Sequence, residues 1–562
     1  MAYIKGKDKR QYTMFPECID DYVESDSPVR LFDAFVDSLN MDELGFIRST
    51  PKEEGRPGYD PRDLLRIYIY GYFYSIRSSR RLERECKCNI EIMWLTGKLT
   101  PDFRTISDFR KDNKDAIKKI FKEFNRFCFN LQLFSKSFIS IDGSKFKAVN
   151  SKDRNFTLSK LDDRIKRLDE HIALYMAELE ACDQEENRRL SKEELEHKLN
   201  VCQQRRDKYN NYREQTQESG ESQMSLTDPD ARLMKQNEGF GVCYNTQTAV
   251  DAESHLIAGF EVTNNPTDHG QITKIASDVK SQYGTNCLEV VADKGYECPK
   301  DQANALLVGI VPNVITRSES NITKVSFEYK EAAITEVLKA SSKPEDIKVC
   351  LEAGVIPDIY ENILSEVEIK DRATYLGSIN VADSDILKMT HEQMRIKAME
   401  GYFVRDANCN LVYCPAGNTL RQKSIKRNGN IRYYNKLACK QCKNKCTKSA
   451  WKEVDFNKDI LIKSSRPSDK KKQASKQNIT PSKKIVKTVV NYTLNLAKSK
   501  MEQRKCLSEH PFGTIKRTLG SYYFLLKSKT KVETEMALFC LSYNMRRAIT
   551  MLGVKPLIAQ LA

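Results

Sequence analysis

The stretch SFISIDGSKFKAVNS, Ser137 to Ser151, decides how the fold is read. An apolar run, Phe138 to Ile141, leads straight into Asp142 and Gly143, and lysines follow at 145 and 147. Short runs of this kind, bounded by turn residues, read as strands. An Asp-Gly pair between two such runs makes a tight hairpin turn, which gives two strands within 138–150. The other reading places Asp142 at the rim of a sheet as part of an acidic metal site. That reading requires partner carboxylates in similar settings.

A second aspartate meets the requirement. CLEVVADKGY, Cys287 to Tyr296, is a short apolar strand ending in Asp293, again followed by a small turn with lysine. Two such strands side by side would bring their carboxylates together. Like charges that close repel, and a divalent cation relieves the repulsion. A third carboxylate from a helix across the sheet would complete an oxygen-rich site for Mg²⁺, the arrangement two-metal phosphoryl chemistry needs. Glu509, in SEHPFGTIKR (Ser508 to Arg517), is the candidate. Lys516 follows two helical turns later, within reach of a phosphate beside the site. Asp251 and Asp268 are rivals. Asp251 falls near a hairpin turn at Ala252–Ser254. Asp268, in NNPTDHG, reads as the N-cap of the next helix or as a further group at the site.

Around these motifs the chain divides by pattern. Residues 1–132 read as a helical module, with Ser27-Pro28 and Asp60-Pro61 as N-cap and first-turn pairs. Its arginines, Arg80, Arg81, Arg84 and Arg104 among them, fit a DNA-contacting face in a helix-turn-helix-like layout, or a plain bundle with solvated charges. Residues 133–314 read as three strands, the first ones antiparallel, then helix, strand, helix, strand: a mixed α/β sheet. Leu161, Ile165, Leu168, Ile172, Tyr175 and Leu179 form a heptad seam. With a second helix from Ser191 they give an antiparallel hairpin over about 157–217, serving as scaffold, dimer contact or DNA-tracking arm. Residues 315–490 break the pattern, with helical stretches expected at 327–340 and 384–399. This part ends in the lysine-rich run SSRPSDKKKQASKQNITPSKK. Residues 491–562 return to helices that cover the sheet.

The 315–490 region also holds a cysteine cluster: Cys409, Cys414, Cys439, Cys442 and Cys446. Cys-x2-Cys-x3-Cys with Cys414 upstream can wrap one tetrahedral Zn²⁺. The expected ligands are Cys414, Cys439, Cys442 and Cys446, with Cys409 spare. Unligated thiols and an iron–sulfur cluster are the alternatives.

Composition agrees with a nucleic-acid partner. The 562 residues carry 92 basic and 77 acidic side chains, a net charge of +15, which favours a polyanion. The 17 cysteines, an odd number, read as reduced thiols in a cytosol. The first residues lack the apolar core of a secretory signal, and no run is long and apolar enough to span a membrane.

Taken together, IDGSKFKAVNS, VVADKGY and SEHPFGTIKR resemble the three catalytic blocks of bacterial insertion-sequence DDE transposases. GYDPRDLLRIYIYGY (58–72) and PDFRTISDFRK (101–111) resemble the InsH-type N-terminal domain of the same mobile elements. The resemblance implies an RNase H-like catalytic sheet with an N-terminal all-α DNA-binding domain, an inserted helical hairpin and an inserted Cys-rich subdomain. It implies Asp142, Asp293 and Glu509 as the triad for two Mg²⁺ or Mn²⁺ ions. It further implies end cleavage and strand transfer on terminal inverted repeats and target DNA, by a homodimer or higher oligomer in the cytoplasm, at the nucleoid. The family's Tyr-x2-Arg-x3-Glu-x6-Lys signature is met at Glu509 and Lys516. Its arginine position holds Lys505, with Arg504 beside it, and its tyrosine position holds Glu502. Arg504, Lys505 and Lys516 are thereby the expected phosphate ligands. The alternative is a metal-dependent DNA nuclease, or a domesticated DNA-binding descendant.

Overall fold

The computed structural model describes residues 18–48, 58–182, 192–218, 220, 222–236, 239–315, 322–372, 377–380, 390–406, 409–426, 429–443, 445–447, 449–457, 487–495 and 498–561. At a few helix and strand positions, Lys505 and Glu509 among them, the side chain lies outside the description. The chain forms two compact units, Met1–Glu319 with Leu496–Ala562, and Ser320–Asn495.

The first unit is built on a six-stranded mixed sheet. Its strands are β1 (Phe138–Lys147), β2 (Arg232–Gln236), β3 (Gly239–Asp251), β4 (Ile257–Thr263), β5 (Leu288–Ala292) and β6 (Ile310–Val314). The order is β2–β3–β1–β5–β6. β4 shares the outer edge of β3 with β2, each pairing with a different half of that long strand. β1 runs antiparallel to β3 and parallel to β5, and β5 runs parallel to β6. All residues of β3 from Val242 onward are buried, as expected for a strand covered on both faces.

One expectation fails at the opening motif. Asp142-Gly143 makes no hairpin turn: β1 passes straight through it, pairing Asp142 with Thr248 and Gly143 with Gln247. The long partner β3 supplies a continuous ladder that a two-residue turn would interrupt. A different feature marks Asp142. The ladder from β1 to β5 ends at Ser140↔Val291, so β1 loses its parallel neighbour just before the aspartate.

The helices at the two ends of the chain share one hydrophobic core with this sheet. Pro61–Phe73 is buried from Leu64 to its end, and its Tyr72 ring meets Phe539 edge-on, 4.9 Å between centroids. Arg77 donates to the carbonyl of Tyr523 at 2.8 Å and lies 3.6 Å from the fully buried Glu535. Both Asp60 and Ser27 are N-caps before proline, though only Asp60 bonds its own helix, through Arg62 N. The long C-terminal helix Lys529–Leu552 is fixed to β4 by an amide network. Asn544 accepts from Ile257 N at 2.8 Å and donates to Ile257 O at 2.9 Å and Asn125 Oδ1 at 2.8 Å. Asn125, on the helix Lys114–Asn130, in turn donates to the carbonyls of Ile257 and Ala258. Each donor in this apolar setting has a partner, so the network locks two helices to one strand edge.

Between β1 and β2 the chain forms two long helices, Leu158–Cys182 and Lys192–Glu218. They lie antiparallel: Arg213 pairs with Asp162, and Arg206 with Asp169. Leu161, Ile172 and Leu195 are buried, while Leu174 and Met176 stay exposed.

The second unit holds a three-stranded antiparallel sheet (Ile322–Glu328, Lys487–Asn495, Leu364–Arg372) and a six-stranded one that begins at Gly377–Asn380 and ends at Glu453–Asn457. The helix expected over 327–340 is replaced by the strand Ile322–Glu328 and a short helix, Glu336–Ala340. Alternating burial of Thr323, Val325 and Phe327 suits a strand, and its partner, Lys487–Asn495, is remote in sequence. Of the expected helix 384–399, His391–Met399 is helical, and 384–389 lie outside the described residues. The basic run 464–484 also lies outside them.

Candidate active site

Carrying the β1–β5 register two residues past its last pair sets Asp142 level with Asp293. Asp293 follows β5 directly and caps a short 3₁₀ turn, accepting from Gly295 N at 2.7 Å. Asp142 is half-buried and accepts from its neighbour Gly143 N at 3.0 Å. Burial raises its carboxyl to about 6, and the nearby Asp293 and Asp268 push the same way; Arg504 and the Gly143 amide oppose them. Two sequence-remote aspartates thus meet at the carboxyl end of a parallel strand pair, where open α/β sheets place their ligands.

The helix Lys498–Gly513 lies across this end, packed on β1, β3 and β5. Three side chains record its path. Lys500 pairs with Glu289 on β5. Arg504 stands 3.8 Å from Asp142 Oδ1. Beyond the helix, Lys516 donates to Ser144 Oγ at 2.6 Å and to the carbonyl of Lys145 at 3.2 Å. Burial lowers the Lys516 ammonium's pKa, with Asp142 opposing. Pro511 lies inside the last turn of the helix, and a π-turn, Thr514–Thr518, follows. Proline has no N–H to return to the preceding turn, and such widened turns recur at functional sites. Glu509 is on this helix between Arg504 and Lys516; its side chain and that of Lys505 lie outside the described residues. Glu502, at the tyrosine position of the expected signature, is exposed.

Four further groups complete the pocket, and the sequence reading assigned none of them firmly. Asp268 is not a helix cap, because the next helix starts at Ile272 with Gln271 as N-cap. Asn245 and Gln247 of β3 donate to Asp268 Oδ1 at 2.8 and 2.7 Å. The fully buried Tyr296 donates its hydroxyl to Gln247 Oε1. Burial holds that phenol well above its usual range, and Asp268, Asp142 and Asp293 reinforce the shift. Tyr296 was in plain view in DKGY. Asn245 and Gln247 sit in YNTQ on an otherwise apolar strand, which is a readable anomaly. Asp251 behaves as expected, buried and accepting from Ser135, Glu253 and Ser254 around the β3–β4 turn.

The acidic pocket therefore has the donor set that fits a hard divalent cation: clustered carboxylate oxygens beside neutral amides.

In the second unit, Cys414, Cys439, Cys442 and Cys446 line one pocket together with Phe403, Leu420 and Ala438. Cys414 begins a tight turn in which Gly417 (φ +73°) donates to its carbonyl. Backbone N–H groups of Ala416 and Asn418 point at the Cys414 sulfur. Burial still holds that thiol above its usual range, with Cys442 and Cys439 adding to the shift. Four cysteines lining one pocket, with amides aimed at a sulfur, fit a zinc thiolate site. Cys409 stands apart from the four. It lies with His391 and Asp406, their ligand atoms all within 4.8 Å of one another.

On the N-terminal helices, Arg80, Arg81 and Arg104 are exposed. Arg80 and Arg104 both lie over the Phe103 ring, at 4.9 and 5.8 Å, so Ser79–Cys88 and Phe103–Asp112 present a joint basic face.

Residues 17–112 match the family model described as Transposase domain (DUF772). The match supports a transposase, and with it DNA as the partner. Neither a curated protein nor a solved structure matches the chain. Among the described residues, no helix is long and apolar enough to cross a membrane.

Proposed function

We propose that the chain is a DDE transposase that cuts the ends of an insertion sequence and joins them to target DNA. The observation that carries this is that Asp142 and Asp293 each lie two residues past the last pair of the parallel β1–β5 ladder, beside the helix that bears Arg504 and Glu509 and the π-turn that bears Lys516. Asp142, Asp293 and Glu509 would hold two Mg²⁺ or Mn²⁺ ions on an RNase H-like sheet. Such ions supply activation of the attacking oxygen and neutralise charge at the leaving one.

The protein's own groups have distinct tasks. Asp142 is deprotonated above about pH 6 and presents a carboxylate to the cation site. Arg504 and Lys516 flank it with positive charge and hold the scissile phosphate in line with the nucleophile. In the first step water attacks phosphorus and the P–O bond to the 3′ oxygen breaks, leaving a 3′-hydroxyl. In the second that hydroxyl attacks a target phosphodiester and displaces a target 3′ oxygen. No external energy source is needed, because each step exchanges one phosphodiester or water oxygen for another. Arg80, Arg81 and Arg104 would grip the end sequences, and the cysteine cluster would hold a structural Zn²⁺. Paired ends call for at least two copies of the chain.

The test is cleavage of duplex DNA carrying the sequences that flank the gene, with Mg²⁺, by the wild type and by D142N, D293N and E509Q. Nicking at the element ends, lost in all three variants, is the expected result. Cleavage retained by any variant removes that residue from the triad. End binding without cleavage would favour a DNA-binding descendant.

A further inference from the structure

We propose that Asp268 is a fourth carboxylate of the cation site, and that the glycine after Asp142 is required because Asp268 and Gln247 stand against it. The inference rests on the reading of Asp142 and Asp293 as cation ligands.

Three observations carry it. First, Asp268 is fixed. Two neutral amides from β3, Asn245 and Gln247, converge on one oxygen, Oδ1. Amide donors orient a carboxylate without neutralising its charge, unlike an arginine or lysine. Gln247 is itself oriented by the buried Tyr296 hydroxyl. Second, Oδ2 is turned to the Asp293 block. An atom at the β-position of Gly295 would lie 2.9 Å from Asp293 Oδ1 and 3.4 Å from Asp268 Oδ2, so the two carboxylates flank one spot. Third, the same residue meets the other block. A β-carbon on Gly143 would lie 2.6 Å from Asp268 Oδ1 and 2.4 Å from Gln247 Nε2.

Neither glycine is needed for its backbone angles, since both lie outside the positive-φ set. At Gly143 the explanation is spatial: it leaves out a side chain where Asp268 and Gln247 approach, whereas a β-carbon at Gly295 would crowd Asp293 itself. A third half-exposed carboxylate beside two others, with only neutral amides on one oxygen, is costly unless a cation shares it. Asp268 would thus bind the divalent ion directly through Oδ2 while β3 sets its position through Oδ1.

The test is Mn²⁺ binding by the full-length protein without DNA, followed by electron paramagnetic resonance of the free ion. D268N keeps an oxygen for both amides to reach, so the pocket stays folded, which a thermal melt checks. G143A keeps every carboxylate and displaces Asp268 and Gln247 sterically. Both variants are expected to bind Mn²⁺ about tenfold or more weakly, as are D142N and D293N. Wild-type affinity in D268N, with D142N and D293N weakened, overturns the inference and leaves the aspartate pair standing. If D268N does not fold, wild-type affinity in G143A overturns it equally. Wild-type affinity in D142N and D293N sinks the reading beneath it.

Discussion

The acidic pocket and the cysteine cluster are both candidate metal centres, yet they are built in opposite ways. The acidic pocket draws on residues from β1, the β4 exit, the β5 exit and a helix near the C-terminus, more than 350 positions apart in the chain. Sheet register and side-chain amides hold it, and these are set by a core that extends well beyond the site. The cysteine cluster comes from one local stretch and rests on a small core of its own: Phe403, Val412, Leu420, Ile431, Tyr433, Val454 and Phe456 around Cys414. A site framed by a large core keeps its shape without its ion. A site framed by short loops and a handful of apolar residues depends on the ion for its order. On this contrast, a cation in the first would serve chemistry and a zinc ion in the second would serve folding.

Removing zinc should therefore have the largest structural effect. A C439A/C442A double variant, or exhaustive chelation, is expected to cost the Cys-bearing sheet upwards of about 5 kcal/mol. Hydrogen exchange should show 402–457 opening while β1, β3 and β5 stay protected. Equal protection in both regions after zinc loss would erase the contrast.

The acidic pocket should respond in the opposite sense, because its charges are a burden when no cation is present. Asp142 has its folded carboxyl raised from 3.8 to about 6. A raised carboxyl binds its proton more tightly in the folded state, so it contributes stability below about pH 4 that is lost as pH rises through 6. D142N removes this loss. The metal-free variant is expected to be more stable than the wild type at pH 7 by roughly 2–3 kcal/mol, with the gap shrinking toward pH 4. Urea melts at the two pH values check it; a gap that does not change with pH contradicts the burial account.

A smaller effect tests the frame. Asn544→Ala leaves Ile257 N and Asn125 without their partner in a dry core and should cost about 2 kcal/mol. It should leave zinc content unchanged, which metal analysis by mass spectrometry reads directly. Loss of zinc in this variant would mean that the two centres do not rest on separate cores.

The same contrast governs what could be read from the sequence. Cysteine spacing is local, so Cys414, Cys439, Cys442 and Cys446 were legible as one set and do line one pocket. The strands and helices around Asp142 and Asp293 were legible from apolar runs, as was the β3–β4 turn at Asp251. The Asp-Gly turn was misread because a turn preference is local, while the partner that keeps β1 extended arrives about a hundred residues later. Asp268 was given to a helix end for the same reason: its amide partners are on another strand, and no spacing rule connects them. The strand Ile322–Glu328 escaped because its partner follows the entire Cys-bearing region. Glu509 was placed on the helix that crosses the sheet, the part of its assignment that follows from helix periodicity and packing.

The central claim is that Asp293 touches the catalytic cation. Its most direct measurement is end cleavage by D293C in Mg²⁺ and in Mn²⁺. A thiolate is a poor ligand for hard Mg²⁺ and a better one for Mn²⁺. D293C is expected to bind end DNA normally, to be inactive in Mg²⁺ and to regain measurable cleavage in Mn²⁺. Normal cleavage in Mg²⁺, with folding and end binding intact, would contradict it.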